Sequence, residues 1–270
     1  MPKDSRPHIF FTNDDSARSP AFQHFVKELK QDYKLTILVP DKPVSGISKT
    51  LTFNEPIRFI KGESIDGQSI IETTGTPADA VTWCRTYIPD IDLVISGPNL
   101  GLNVSAHSIL TSGTVGAAIE AALWKIPAIA FSIGAPSHTW FIPGESNANY
   151  QKAAQRARII IGHVLSSGWP KGTSFLNVSF PTDVNENTPI VVAKPTPVRF
   201  INRLRQRKDP HGMEYYWIVG KEKSGIPKTS DVYQATTESK IVISPISLAL
   251  SDDTLLESAR QFLNPLLTML

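Results

Sequence analysis

The chain has 270 residues, 41% of them hydrophobic and 19% charged, with a formal net charge of +2. These values suit an ordinary globular protein with one sizeable core, and they give no bulk electrostatic reason to expect a stable nucleic-acid partner. No run approaches the roughly 18 apolar residues of a membrane span, Met1 to Pro7 lack the apolar stretch of a secretory signal, and the single Cys84 excludes an intrachain disulfide; a cytoplasmic location is the default expectation.

Residues 8–11 predict a first strand, closed by Thr12-Asn13-Asp14-Asp15. Ser19-Pro20 has the form of an N-cap and first-turn pair. Phe22, Phe25, Val26 and Leu29 then recur at helical spacing through a helix over about residues 21–32. A second strand over 35–39 leads to the turn Val44-Ser45-Gly46. Turn signals and alternating apolar residues over 48–71 predict short antiparallel strands. Thr76-Pro77-Ala78-Asp79 opens the next helix, in which Cys84 reads as a small buried hydrophobe.

The segment 93–96 is short and almost wholly apolar, as a central parallel strand should be, and Ser96-Gly97-Pro98-Asn99 continues from it. His107 falls in what reads as a surface loop before Ser112. The strongest helix signal covers 113–123, beginning at Ser112-Gly113-Thr114, where free backbone N–H groups and the helix dipole favour an anion. Strands over 128–132 and 175–180 flank a helix over 150–165. The alternation predicts an α/β fold, with a largely parallel Rossmann-like sheet covered by helices.

After Pro181 the composition shifts toward Pro, Thr, Lys and Arg. Strands over 191–193 and 215–219 are expected to be joined by a basic turn region carrying Arg199, Arg203, Arg205, Arg207 and Lys208, read as a solvated surface hairpin, with a rim that attracts anionic substrates as the alternative. A strand over 240–244 follows. The end of the chain, 252–270, is amphipathic, with Leu255, Leu256, Ala259, Phe262 and Leu263 at helical spacing, and reads as a packing or dimer helix. The expected organisation is a catalytic core over 1–185, an extended hairpin and oligomerisation region over 186–250 that returns to the core, and a C-terminal helix over 251–270.

The chemistry concentrates where strands end. Two unit charges about 4 Å apart repel by roughly 4 kcal/mol at an effective dielectric near 20, so adjacent Asp14 and Asp15 are costly without a cation. In open α/β sheets, ligands bind beyond the carboxyl ends of the strands. Asp14, Asp15, Ser45 and Asn99 can converge there as an all-oxygen set, which suits Mg²⁺ or Mn²⁺. The turn at Gly97 and Gly101 lacks the three-glycine spacing of a dinucleotide cradle, which argues against an oxidoreductase.

Taken together, Thr12-Asn13-Asp14-Asp15, Ser45-Gly46, Gly75-Thr76-Pro77-Ala78-Asp79, Ser96-Gly97-Pro98-Asn99, Ser112-Gly113-Thr114-Val115 and Asp209-Pro210-His211-Gly212 with Tyr216-Trp217 resemble the SurE (survival protein E) nucleotidases in order and spacing. The resemblance implies divalent-metal-dependent release of phosphate from nucleoside monophosphates, or a broader acid phosphatase. Asp14, Asp15, Ser45 and Asn99 fall on the metal ligands, with Asp14, Asp15 and Asn99 as the catalytic set. Asn13, Asn103, Ser112, Gly113 and Thr114 fall on phosphate-facing positions. It also implies a homodimer or dimer of dimers through an exchanged hairpin. The chain departs from the family pattern at Ser16, where Gly is usual, at Pro20-Ala21, and at Asn99-Leu100-Gly101. A Ser at positive φ would be strained, so a catalytically weak phosphate- or nucleotide-binding protein is the alternative.

Overall fold

Strand β1 (His8–Thr12) is buried along its whole length and lies between β2 (Lys34–Pro40) and β5 (Leu93–Leu100), parallel to both. This is a computed structural model, and it describes residues 5–88, 90–135 and 149–267. From β5 the sheet continues through parallel strands β6 (Ala128–Ile133) and β7 (Phe175–Phe180). Beyond β2 lie β4 (Ile71–Thr73), parallel, and β3 (Phe59–Lys61), antiparallel to it. Beyond β7 lie β11 (Ile241–Ile246), antiparallel, and β8 (Ile190–Val192), parallel to β11. The result is a nine-stranded, mostly parallel sheet in the order β3-β4-β2-β1-β5-β6-β7-β11-β8.

The period-two alternation of strand side chains assigns each residue to a face. Ile9 and Phe11 join a core with Phe22 and Phe25 of helix α1 (Pro20–Leu29) and with Ala153 and Ile161 of α5 (Tyr150–Ser167). Phe10 points the other way, to Val81 and Cys84 of α2 (Pro77–Tyr87) and Ala117 and Ala121 of α4 (Gly113–Leu123). Helix α1 starts where expected, with the Ser19 hydroxyl accepting from the Phe22 N–H. Helix α2 carries a full capping box between Thr76 and Asp79.

Three expectations change. Residues between Asn99 and Ser112 are not all loop: Ser105 caps a short helix, α3 (Ala106–Thr111), and exposed His107 lies on it. The central strand does not stop at Ser96 but runs to Leu100, with an irregularity between Ser96 and Asn99. The basic residues form a strand rather than a turn. Strand β9 (Phe200–Lys208) pairs antiparallel with β10 (Glu214–Glu222) in a separate two-stranded hairpin. The turn itself is 209–213, where the Asp209 carboxylate accepts from the backbone N–H groups of His211 and Met213. A short helix, α6 (Asp231–Thr236), leads into β11, and α7 (Asp253–Leu267) follows it; residues 268–270 of the expected terminal helix lie outside the described residues.

Candidate active site

The ends of β1 and β5, the turn after β2 and the start of α4 meet at one point. The Asp14 carbonyl accepts from the Val44 N–H at 2.8 Å, which ties the Ser45 turn to the end of β1. The same segment lies against α4 because Gly116 has no side chain: a Cβ there would collide with the Ser48 carbonyl oxygen. Across from it, the Leu100 N–H donates to Asp15 Oδ2 at 2.8 Å. Asn99 commits its Nδ2 to the Gly101 carbonyl at 2.7 Å. Its Oδ1 is the atom left for a ligand.

Asp14, Asp15, Ser45, Asn99, Asn103 and Ser112 line one cavity of about 360 Å³. Three other predicted residues stand behind it. Asn13 is fully buried and donates to the Ser16 carbonyl at 2.9 Å. Gly113 leaves room for the Asp14 carboxylate, since a Cβ would sit 3.0 Å from Asp14 Oδ2. The Thr114 hydroxyl donates to Asp14 Oδ1. The backbone groups of Gly113 and Thr114 also favour the charged form of Asp14. The N-terminus of α4 therefore serves a carboxylate of the protein itself.

Ser112 differs from Thr114. Its Oγ accepts from Asn103 Nδ2 at 2.9 Å and from the Val115 N–H at 3.2 Å. A hydroxyl has two acceptor sites and one donor, so these contacts leave its proton to donate into the cavity. Asn103 is held in turn by Ser132, which accepts from its N–H at 3.0 Å, and by Asn177, which donates to its carbonyl at 2.8 Å.

Burial pushes both carboxyls above the usual range. For Asp15 the neighbouring Asp14 charge adds to burial and raises it to about 7. Among the described residues, no Lys, Arg or His forms an ion pair with either. A buried and a half-buried acid without a cationic side chain, beside a hydroxyl and a carboxamide, fit a hard divalent ion better than any softer metal. Asp14, Asp15, Ser45 and Asn99 are the residues that would hold it.

Comparison with known proteins places this arrangement. Residues 9–202, more than half the chain, match the family model described as Survival protein SurE. The chain belongs to the SurE family. It is 35% identical over 243 residues to a 5'-nucleotidase SurE of Thermofilum pendens, covering 89% of this chain and 90% of that one. A 5'-nucleotidase SurE of Hyperthermus butylicus is 33% identical over 245 residues, with 90% and 86% covered. The crystal structure of the SurE protein from Aquifex aeolicus superposes with a TM-score of 0.78 at 29% identity, over 95% of this chain and 99% of that one.

The cavity also contains residues that the sequence reading did not assign to it. Ser108 and Thr111 enter from α3, and Arg199 and Phe200 from the root of the hairpin. Asp231 secures that root: its carboxylate accepts from the N–H groups of Ser105 at 2.6 Å and Thr196 at 3.0 Å. Thr196 and Pro197 carbonyls then receive the first N–H groups of α3, from Ala106 and His107. The one available signal was the Ser230-Asp231 pair, an N-cap with an acid in the first turn.

Proposed function

We propose that this SurE chain is a divalent-metal-dependent phosphomonoesterase that releases phosphate from nucleoside monophosphates. The observation that carries the reading is the adjacent carboxylates of buried Asp14 and half-buried Asp15, both lining one cavity with no cationic partner among the described residues. The relatives named 5'-nucleotidase match nearly the full length of the chain and support the substrate class.

The chain's own residues divide the work. Asp14, Asp15, Ser45 and Asn99 hold Mg²⁺ or Mn²⁺. A bound divalent ion supplies Lewis-acid polarisation of phosphate oxygens and a more acidic bound water. Ser112 offers its remaining proton to a phosphate oxygen, and Asn103 fixes the direction of that proton. Gly113 and Thr114 hold Asp14 in place from behind. Asn13 shapes the turn after β1 by bonding to Ser16. Uncatalysed monoester hydrolysis is so slow that these effects together must lower the barrier by on the order of 20 kcal/mol.

The functional division is a core over 1–185, a hairpin region over 186–250 and a helix over 251–270, with the last two joining copies of the chain. The exposed Trp217 and Ile218 of β10 and the exposed Leu255 and Phe262 of α7 support a homodimer or dimer of dimers.

The test is phosphate release from a panel of nucleoside monophosphates with Mg²⁺, Mn²⁺ or chelator, on the parent chain and on Asp14→Asn and Asp15→Asn. Turnover is expected only with metal and is expected to fall at least a hundredfold in both variants. Full metal-dependent turnover by both would overturn the assignment.

A further inference from the structure

The carboxylate cavity is not closed on the side of the hairpin. Leu102, Arg199 and Phe200 line it, and the same three residues line a second, larger cavity of about 820 Å³ between the hairpin root and the core. The smaller space carries the Asp14, Asp15, Asn99 and Ser112 side chains and suits a phosphate with its ion. The larger one falls within the range of pockets that hold organic ligands, and its wall is shared with the reacting centre. An ester whose phosphate sits among Asp14, Asn99 and Ser112 would send its leaving group past Arg199 and Phe200.

The shared wall has a defined chemistry. The Arg199 guanidinium lies over the Phe200 ring, 4.7 Å from its centroid. Glu222 fixes it there, its Oε1 accepting from Nε at 3.0 Å and Nη2 at 2.8 Å. Glu222 is the register partner of Phe200 across the hairpin, so the clamp is built into the strand pairing. Two positions along, Gly220 contributes no side chain; a Cβ there would meet Asn202 Oδ1 at 3.0 Å and Phe200 Cβ at 3.1 Å. A planar cation held over an aromatic ring therefore stands at the mouth of the carboxylate cavity and offers a stacking platform there.

We propose that the Arg199–Phe200 platform is the leaving-group subsite and that it selects leaving groups carrying a planar aromatic ring, nucleosides bound through their bases, over purely aliphatic ones. The assignment rests on the phosphomonoesterase reading of the adjoining cavity and adds to it the residues that set substrate preference. Nucleobases stack on aromatic rings and on guanidinium planes whatever their sequence of ring substituents. The platform thus favours nucleoside monophosphates as a class. Gly220 and Glu222 are positioning residues, acting through Phe200 and Arg199.

The experiment compares AMP with glycerol phosphate on the metal-loaded enzyme. Phe200→Leu keeps an apolar side chain but removes the ring. It is expected to lower the AMP-to-glycerol-phosphate ratio of kcat/KM about tenfold, the usual worth of one stacked base, through KM for AMP. Phe200→Tyr is expected to retain the parent ratio. A ratio unchanged in Phe200→Leu, or lost equally in Phe200→Tyr, would overturn the proposal. Adenosine binding, followed by calorimetry, reads the platform without turnover. Binding weakened about tenfold by Phe200→Leu supports it, and equal binding or none to the parent chain overturns it. Failure of the parent enzyme to cleave either ester would count against the phosphatase reading and leave the binding measurement to decide the subsite.

Discussion

The Thr114 hydroxyl donates a hydrogen bond to Oδ1 of Asp14, joining the first turn of α4 to the end of β1. Both residues are buried. A charge-assisted bond of this kind holds the carboxylate in one orientation and stabilises its ionised form. Thr114→Val should therefore weaken divalent-ion affinity by about tenfold, since hydrogen bonds to charged groups contribute roughly 1.5–3 kcal/mol. Ser112→Ala should instead raise KM for phosphate esters and leave ion affinity near the parent value. Calorimetric titration with Mn²⁺, set beside steady-state kinetics, separates the two. Identical profiles for both variants would contradict this division.

The carboxylate pair also sets a pH dependence. Asp14 and Asp15 are both raised in the fold, chiefly by burial, and Asp15 reaches about 7 with the Asp14 charge as the second cause. The folded state holds these protons more tightly than the unfolded chain does. Their contribution to the stability of the metal-free protein is thus complete below about pH 4 and is lost as pH rises through their folded-state values, about 7 for Asp15. Metal ions compete with the same protons. The metal-free melting temperature should fall between about pH 5 and 7.5, more steeply than in Asp15→Asn, and Mn²⁺ should restore more stability at the higher pH. Equal slopes in the parent and Asp15→Asn would refute the assignment of this titration.

How much of this was legible in the chain follows from the range of the interactions. The alternation in β1 and the three-to-four spacing of Phe22, Phe25, Val26 and Leu29 are local patterns, and the sheet and helices follow from them. The strand-end polar residues were also local. Helix α3 was missed because six residues carry too little periodicity. Strand β9 was missed because it buries no face: from Ile201 to Lys208 every residue is exposed, so charge alternation hid the strand. Arg199 and Phe200 reach the cavity only through tertiary contacts, including the Asp231 strut, which no local pattern encodes. Thr114 sat in the right motif, yet its contact with Asp14 could not be read from spacing.

Ser16 takes φ 66°, in the left-handed region where a side chain is strained. It is also buried, and its carbonyl accepts from Asn13. Removing Cβ relieves a cost of roughly 1–2 kcal/mol, offset in part by the greater freedom of Gly in the unfolded chain. Ser16→Gly should stabilise the fold by up to about 1 kcal/mol, seen as a higher urea midpoint at unchanged slope. Turnover should be at least that of the parent, because the turn after Asp14 and Asp15 relaxes. A lower midpoint would show that the Ser16 hydroxyl, which accepts weakly from the Arg18 N–H at 3.4 Å, matters more than the strain.

The hairpin and α7 give the last expectation. In β9 and β10 the register sets Leu204 opposite Ile218 on one face and Arg205 opposite Trp217 on the other. Ile218 is 73% exposed and Trp217 61% exposed, so neither face is covered by the described residues over this stretch. In α7, Phe262 is 83% exposed, and Leu255 and Leu256 are also uncovered. An isolated two-stranded hairpin is marginal in water, and an amphipathic helix needs a surface for its apolar stripe. A second copy of the chain would supply both by exchanging like elements, the low-cost route to a symmetric dimer. Light scattering should give at least twice the chain mass at micromolar concentration. Tyr216→Ser with Trp217→Ser should shift the population toward monomer, and Phe262→Ser should do so independently. The phosphate cavity draws Arg199 and Phe200 from the hairpin root, so dissociation should also lower turnover. A parent chain that stays monomeric at full activity would refute the role given to these surfaces.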